Sequence, residues 1–322
     1  MLSNLVLSVY CLCIIAASLG GGFLPWLWKP THRGMQLVMS LVGGLMLGVA
    51  MLHLLPHSVA EQHGAEHSLD LTVGWMLTGL LVMFLLIRVF HVHAHEHGDV
   101  QGHAHDHDHP VEEAHAVDSR AHEHCHHDHS HDHSPASHSF SWLGLAFGLA
   151  LHTIIDGLAL GAAVAAEAEH APPGFALFGL GTFLAVVLHK PLDALSITSL
   201  MTAGGWSRKS TFSANLVFAL MCPLGALGFV YGLDAIAADH APIMGAALAF
   251  AAGVFLCISL ADLLPEVTFH SHDRLRLTAA LFAGVGLAVA IGFLEPKHSH
   301  DLSPPAATHS HSQNHGHEHH HK

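Results

Sequence analysis

Eight apolar stretches run through this chain, at roughly 3–27, 35–56, 71–90, 140–166, 174–203, 211–233, 242–266 and 275–294. Each approaches or exceeds the roughly 20 residues with which an α-helix crosses about 30 Å of hydrocarbon. Lipid offers no partner to a backbone N–H or C=O, so such stretches must satisfy their own hydrogen bonds, and helices do this. The expected fold is therefore all-α: a polytopic membrane protein of eight transmembrane helices. The composition agrees, with 51% hydrophobic and only 11% charged residues, where a soluble domain carries about 25% charge. No basic region precedes the first stretch, and it runs into GGGFLPWLW, so it reads as a span rather than a cleaved leader.

The eleven Lys and Arg are few enough to orient the chain. Lys29 and Arg33 fall between spans one and two, Arg88 and Arg120 around the third connection, Arg208 and Lys209 between spans five and six, and Arg274 and Arg276 between seven and eight. The alternate connections, EQHGAEHSLD, AEAEHAPPG and DAIAADHAP, contain none. The positive-inside rule then puts both termini outside and the third connection in the cytoplasm, in a multi-pass protein of the cell membrane. So few basic residues, against a formal charge of −14, argue against nucleic acid as a partner. The five cysteines make no C-x-x-C pair and no disulfide framework.

The chain divides into spans one to three (1–90), a histidine-rich cytoplasmic loop (91–139), spans four to eight (140–296) and a histidine-rich external tail (297–322). Residues 91–138 hold seventeen histidines among Asp and Glu, and 297–322 hold nine more. Such tracts cannot bury a core and are expected to be disordered. Their imidazoles, Cys125 among them, offer many weak and exchanging metal contacts.

Spans four and five each place a histidine and an aspartate four residues apart: His152 and Asp156 in LHTIIDG, His189 and Asp193 in LHKPLDA. An ionisable side chain at a helix centre in lipid costs about 2.5–3.5 kcal/mol, and four of one chemical type in consecutive spans need a common reason. Residues four apart share a helix face, so each pair can direct a nitrogen and an oxygen at one point. Two opposed pairs would make a four-coordinate site suited to Zn2+, and acceptable to Fe2+, Mn2+ or Cd2+. The metal is read as cargo, and no prosthetic group is expected. Lys190 stands beside a ligand at mid-span, too deep to snorkel, and is expected to pair with Asp193, Asp156 or a carbonyl as a fixed charge that modulates the site. Pro191 removes one helix hydrogen bond and should bend span five.

Span two ends in HLLPH (His53 to His57) and span seven in DLLPE (Asp262 to Glu266). The loop charges make these spans run in opposite directions, as do spans four and five, which is the character of an inverted repeat with its site near the midplane. His53, His57 and Glu61 are expected along the pathway near the outer mouth, and Asp262, Glu266, His270 and His272 near the inner one. Gly44, Gly48, Gly157, Gly161, Gly284 and Gly286 are expected at close helix contacts.

The eight-span layout, the histidine-rich third connection and HTIIDGLALGAA in span four resemble the ZIP family of zinc and iron transporters. That family carries H-N-x-x-(D/E)-G in its fourth span, matched by His152, Asp156 and Gly157, and H-E-x-x-(H/E) in its fifth. There His189 matches the start and Asp193 falls at the end. The resemblance covers essentially all the spans. It implies that these positions bind the transported metal, that the cation moves into the cytoplasm, that an elevator-like movement carries it and that the protein is a homodimer. Two departures stand out: Thr153 replaces the Asn, and Lys190 replaces the acidic residue that helps hold a second metal in some members. The site is therefore expected to be mononuclear.

Three other readings fit less of the sequence. Cation-diffusion exporters also pair His or Asp with Asp in two spans, but usually have six spans, internal termini and a soluble metal domain. An intramembrane zinc hydrolase would need an open coordination position and a base, and no H-E-x-x-H occurs in any of the apolar spans. A membrane-anchored metal buffer would leave the four buried ligands without a purpose.

Overall fold

The computed structural model describes residues 2–27, 32–62, 67–91, 138–172, 175, 177–236, 240–269 and 274–295. Among them every regular element is helical: α1 (Leu2–Leu27), α2 (His32–Val49), a π-helical turn (Ala50–Leu54), α3 (Leu55–Glu61), α4 (Ser68–His91), α5 (His138–His170), α6 (Leu180–Ala203), α7 (Arg208–Ile236), α8 (Ala241–Phe269) and α9 (Arg274–Gly292). Because α2, the π turn and α3 are continuous, these elements make eight helical spans long and apolar enough to cross a membrane. Large apolar side chains such as Leu12, Phe84, Leu85, Leu224 and Phe282 are exposed along them, as a lipid-facing surface requires. The histidine tracts, Cys125, His270 and His272 lie outside the described residues.

Three span boundaries differ by four or more residues from those read in the sequence, and the first is span two, which runs on past 56 to Glu61. Span five begins at Leu180 rather than 174, because Gly179 takes φ 66°, a left-handed conformation that glycine adopts without strain and that breaks the helix start from the preceding loop. Span four runs on past 166 to His170, one further turn that carries Glu167 inside the helix. The π turn in span two answers to Pro56. Proline has no N–H to give and crowds the preceding turn, and the chain widens just before it, with the Leu55 N–H reaching the carbonyl of Ala50.

The helices sort into two groups. α1, α5, α6 and α7 pack mainly on one another; α2 with α3, α4, α8 and α9 form the second set, and α5 also meets α8. Small residues let the backbones approach: Gly44 and Gly48 face Leu281 and Ala288 of α9, Gly284 faces Leu41 of α2, and Gly157 and Gly161 face Cys222 and Ala226 of α7. Gly286 does not belong with these. Among the described residues nothing lies within 4 Å of where its side chain would project, so it sits on an exposed face there. Serine hydroxyls add interhelical hydrogen bonds to backbone carbonyls, Ser40 to Leu277 (3.0 Å), Ser58 to Gly245 (2.7 Å) and Ser259 to Gly43 (2.8 Å). In hydrocarbon such bonds hold helices together where the hydrophobic effect cannot. All three lie in the second set and fasten α2 and α3 to α8 and α9.

Candidate metal site

His152 and Asp156 share one face of α5, His189 and Asp193 one face of α6, and the two faces meet. One ligand atom from each of the four residues lies within 4.8 Å of the other three. The imidazoles stack with centroids 5.6 Å apart. Asp156 is fully buried and central: its Oδ2 is 3.2 Å from Nε2 of His189 and 3.4 Å from Nε2 of His152. Asp193 closes the group, its Oδ2 3.7 Å from the Nε2 atoms of both rings.

The hydrogen bonds set the chemistry of His189. Its Nδ1–H donates to the carbonyl of Ala185 at 2.8 Å, which can only accept. In the neutral ring this leaves the lone pair on Nε2, pointing at the carboxylate of Asp156. Two acceptors facing each other at this distance need a proton or a cation between them. Fixing the ring through its far nitrogen is also the usual way a metal-binding histidine is oriented. The Nδ1 of His152 and the Oδ1 of Asp156 are buried without a partner, so the site has unused polar capacity in this conformation.

Lys190 is turned into the same centre rather than out toward solvent. Its ammonium donates to Oδ2 of Asp156 at 2.5 Å, to Oδ2 of Asp193 at 2.8 Å and to the hydroxyl of Thr153 at 3.2 Å, and the side chain is almost fully buried. All three donor hydrogens of the ammonium are used. The Thr153 hydroxyl passes its own hydrogen to the carbonyl of Leu149 at 2.8 Å. The pairing expected from the sequence is present, to both aspartates at once.

A cavity of about 240 Å³ adjoins the site. His152, His189 and Asp193 line one end and Met35, Met39 and Met46 of α2 another. Its lining reaches Met35 near the start of α2, the end of the molecule at which α7 and α9 also begin and at which Arg33, Arg208, Arg274 and Arg276 fall in the chain.

The other pathway residues are placed differently. His53 sits in the π turn with both ring nitrogens engaged, Nδ1 with Oε2 of Glu295 at 2.5 Å and Nε2 with the carbonyl of Ala288 at 2.9 Å. His57 approaches Glu167 at 3.9 Å, and Glu61 lies 3.4 Å from Nδ1 of His170. The side chains of Asp262 and Glu266 lie outside the described residues, although the backbone of α8 continues through Phe269. Sequence reasoning missed Glu167 and Glu295. Each falls one position beyond a span end as read from hydropathy, where a carboxylate is ordinarily a solvated cap.

Two imidazoles and two carboxylates buried together in an eight-span helical protein make a donor set suited to a divalent cation. The chain belongs to the ZIP zinc transporter family, whose model matches residues 5–292. It is 33% identical over 132 residues to zinc transporter ZIP9-B of Xenopus laevis, covering 39% of this chain and 41% of the relative. It is 31% identical over 160 residues to zinc transporter foi of Drosophila melanogaster (48% and 20%), and 29% identical over 156 residues to human zinc transporter ZIP1 (47% and 44%). The matched segments thus span less than half the length of each of these relatives.

Proposed function

We propose that this protein carries a divalent cation, zinc foremost, across the membrane into the cytoplasm, binding it between α5 and α6 through His152, Asp156, His189 and Asp193. The observation that carries the reading is the convergence of these four side chains within 4.8 Å inside a helical bundle. Two nitrogens and two oxygens are a tetrahedral zinc set, and Fe2+, Mn2+ and Cd2+ are the competing cargoes. The lining of the cavity beside the site reaches Met35 at the arginine-bearing end, which the positive-inside rule makes cytoplasmic. The cavity thus lies on the side by which the cation would leave. The cation enters past His53, His57 and Glu61 and leaves past Asp262 and Glu266 to the histidine-rich loop, whose many weak sites keep the free ion low.

The site holds one ion. A glutamate with a second divalent cation beside it would contribute −1 and +2, and Lys190 contributes the same +1 by itself. With zinc bound, Asp156, Asp193 and Lys190 leave a net charge of +1, the value the binuclear arrangement would have. The ammonium replaces both the family's acidic residue and its second metal. Two copies are inferred to assemble as a homodimer in the cell membrane, with both termini outside; cross-linking in native membranes checks this. The cation-diffusion and hydrolase readings gain nothing from the geometry: eight helical spans exceed the exporters' usual six, and a four-ligand set leaves no open position for an activated water.

The test is uptake of radiolabelled zinc by vesicles containing the purified protein, in competition with iron, manganese and cadmium. Accumulation on the side of the histidine-rich loop is the expected result. Transport in the opposite direction only, or none with any of the four ions, would overturn the proposal.

A further inference from the structure

A second group of metal ligands lies at the opposite end of the molecule from the arginines, and we propose that it is a separate divalent-cation site. His57 of α3, Glu167 of α5 and Glu295, just beyond α9, each offer a ligand atom within 4.8 Å of the other two. Glu167 is eleven residues beyond Asp156 on one helix, which sets the group about 16 Å along the axis from the four-residue site. The two are distinct.

Several observations show that the group is held in place. Oε2 of Glu295 is fixed by His53 at 2.5 Å and its Oε1 by the backbone N–H of Gly181 at 3.2 Å, in the first turn of α6. Gly181 makes this approach possible, since a side chain there would come within 3.1 Å of both the Glu295 carboxylate and the His53 ring. Glu167 is 3% exposed, and its Oε2 is buried without a partner. The hydroxyl of Tyr10, whose ring stacks on Phe183 of α6, is also buried without a partner among the described residues. Two carboxylates this close repel strongly where water is scarce. The connections at this end bring no Lys or Arg, and Lys297 falls outside the described residues. His53 already stands beside Glu295 as a counter-charge, and the Gly179 backbone N–H donates to Glu167. A dication engages the orphaned Oε2 of Glu167 together with Glu295 and one imidazole nitrogen of His57, with water completing the shell. One nitrogen and two carboxylates suit Zn2+, and also Mn2+.

The three ligands come from both helix groups, Glu167 from the α1, α5, α6, α7 set and His57 and Glu295 from the other. An ion here ties the two together at the end away from the cavity.

The experiment is crystallography of the full chain grown with Co2+, recording anomalous scattering at the cobalt edge, for the unmodified protein and for Glu167→Gln/Glu295→Gln. The expected result is a peak among His57, Glu167 and Glu295 that the double variant loses while a peak at His152 and Asp156 remains. No peak at the outer cluster of the unmodified protein, or one that survives the double substitution, overturns the inference. A peak at the outer cluster with none at His152 would uphold this site and sink the transport site proposed above, so the two readings fail separately.

Discussion

Lys190 donates to the hydroxyl of Thr153 at 3.2 Å, so the two positions at which this chain departs from the motif it resembles touch each other across α5 and α6. Neither departure stands alone. An ammonium at this depth must use all its donors, and Thr153 supplies the third acceptor after the two aspartates. An asparagine amide there would present its own donors as well as an acceptor, and a threonine hydroxyl can turn its hydrogen away to Leu149.

If the ammonium replaces a second ion, Thr153→Asn combined with Lys190→Glu should restore the binuclear arrangement. The double variant should bind one more equivalent of zinc than the unmodified protein, measured by elemental analysis on matched preparations that retain both histidine tracts. Equal stoichiometry would remove the argument for charge substitution.

Lys190→Met should be strongly destabilising in the absence of metal, because it leaves Asp156 and Asp193 facing each other without a counter-charge. Breaking one side of a buried ion pair typically costs about 3–5 kcal/mol. Zinc should then raise the melting temperature of the variant more than that of the unmodified protein, since the ion supplies the missing charge. Thermal unfolding in detergent, with and without zinc, reads both effects; an equal zinc response in the two proteins would contradict the electrostatic account.

His152→Ala or Asp193→Ala should reduce zinc uptake more than tenfold, on the order of the loss expected when even a supporting contact to a metal site is removed, while expression and membrane insertion persist. Uptake within twofold of normal for either variant would remove that residue from the transport site.

Acid should weaken zinc binding. Both imidazoles must surrender a proton to coordinate, so protons and zinc compete for the same nitrogens. The apparent affinity for uptake should fall as the pH on the loading side is lowered, because protons then occupy more of the ligand nitrogens. A flat profile from pH 7.5 to 5.5 would show that nitrogen does not bind the cargo.

Glycine substitutions separate packing from exposure. Gly44→Val should disrupt the seam between α2 and α9, where its side chain would meet the backbone of Leu281, and Gly286→Val should be nearly neutral because that face is open. Yield and thermal stability of the two variants decide the point; equal losses would mean the helix contacts are misassigned.

The site-bearing pairs were legible because hydropathy and the four-residue helical spacing act over short distances. In a membrane segment the cost of an ionisable group makes His152, Asp156, His189 and Asp193 conspicuous without any knowledge of their neighbours. The outer group was hidden for the opposite reason. Glu167 and Glu295 lie 128 residues apart at span ends, where lipid no longer penalises charge and a carboxylate carries no signal of its own. His53 was legible as a pathway residue through its spacing to His57, whereas its hydrogen bonds to Glu295 and Ala288 were not.

What the chain determines by itself is the number of spans, their helical form and the inward face of each ligand pair, since these follow from the cost of placing backbone and charge in hydrocarbon. Tertiary structure alone decided that Lys190 reaches both aspartates and Thr153 at once, that Gly286 packs against nothing among the described residues and that three carboxylate and imidazole side chains from distant segments converge outside the site. Those outcomes depend on which helix faces meet, and that is set by small residues and interhelical hydrogen bonds spread along the whole chain rather than by any local pattern.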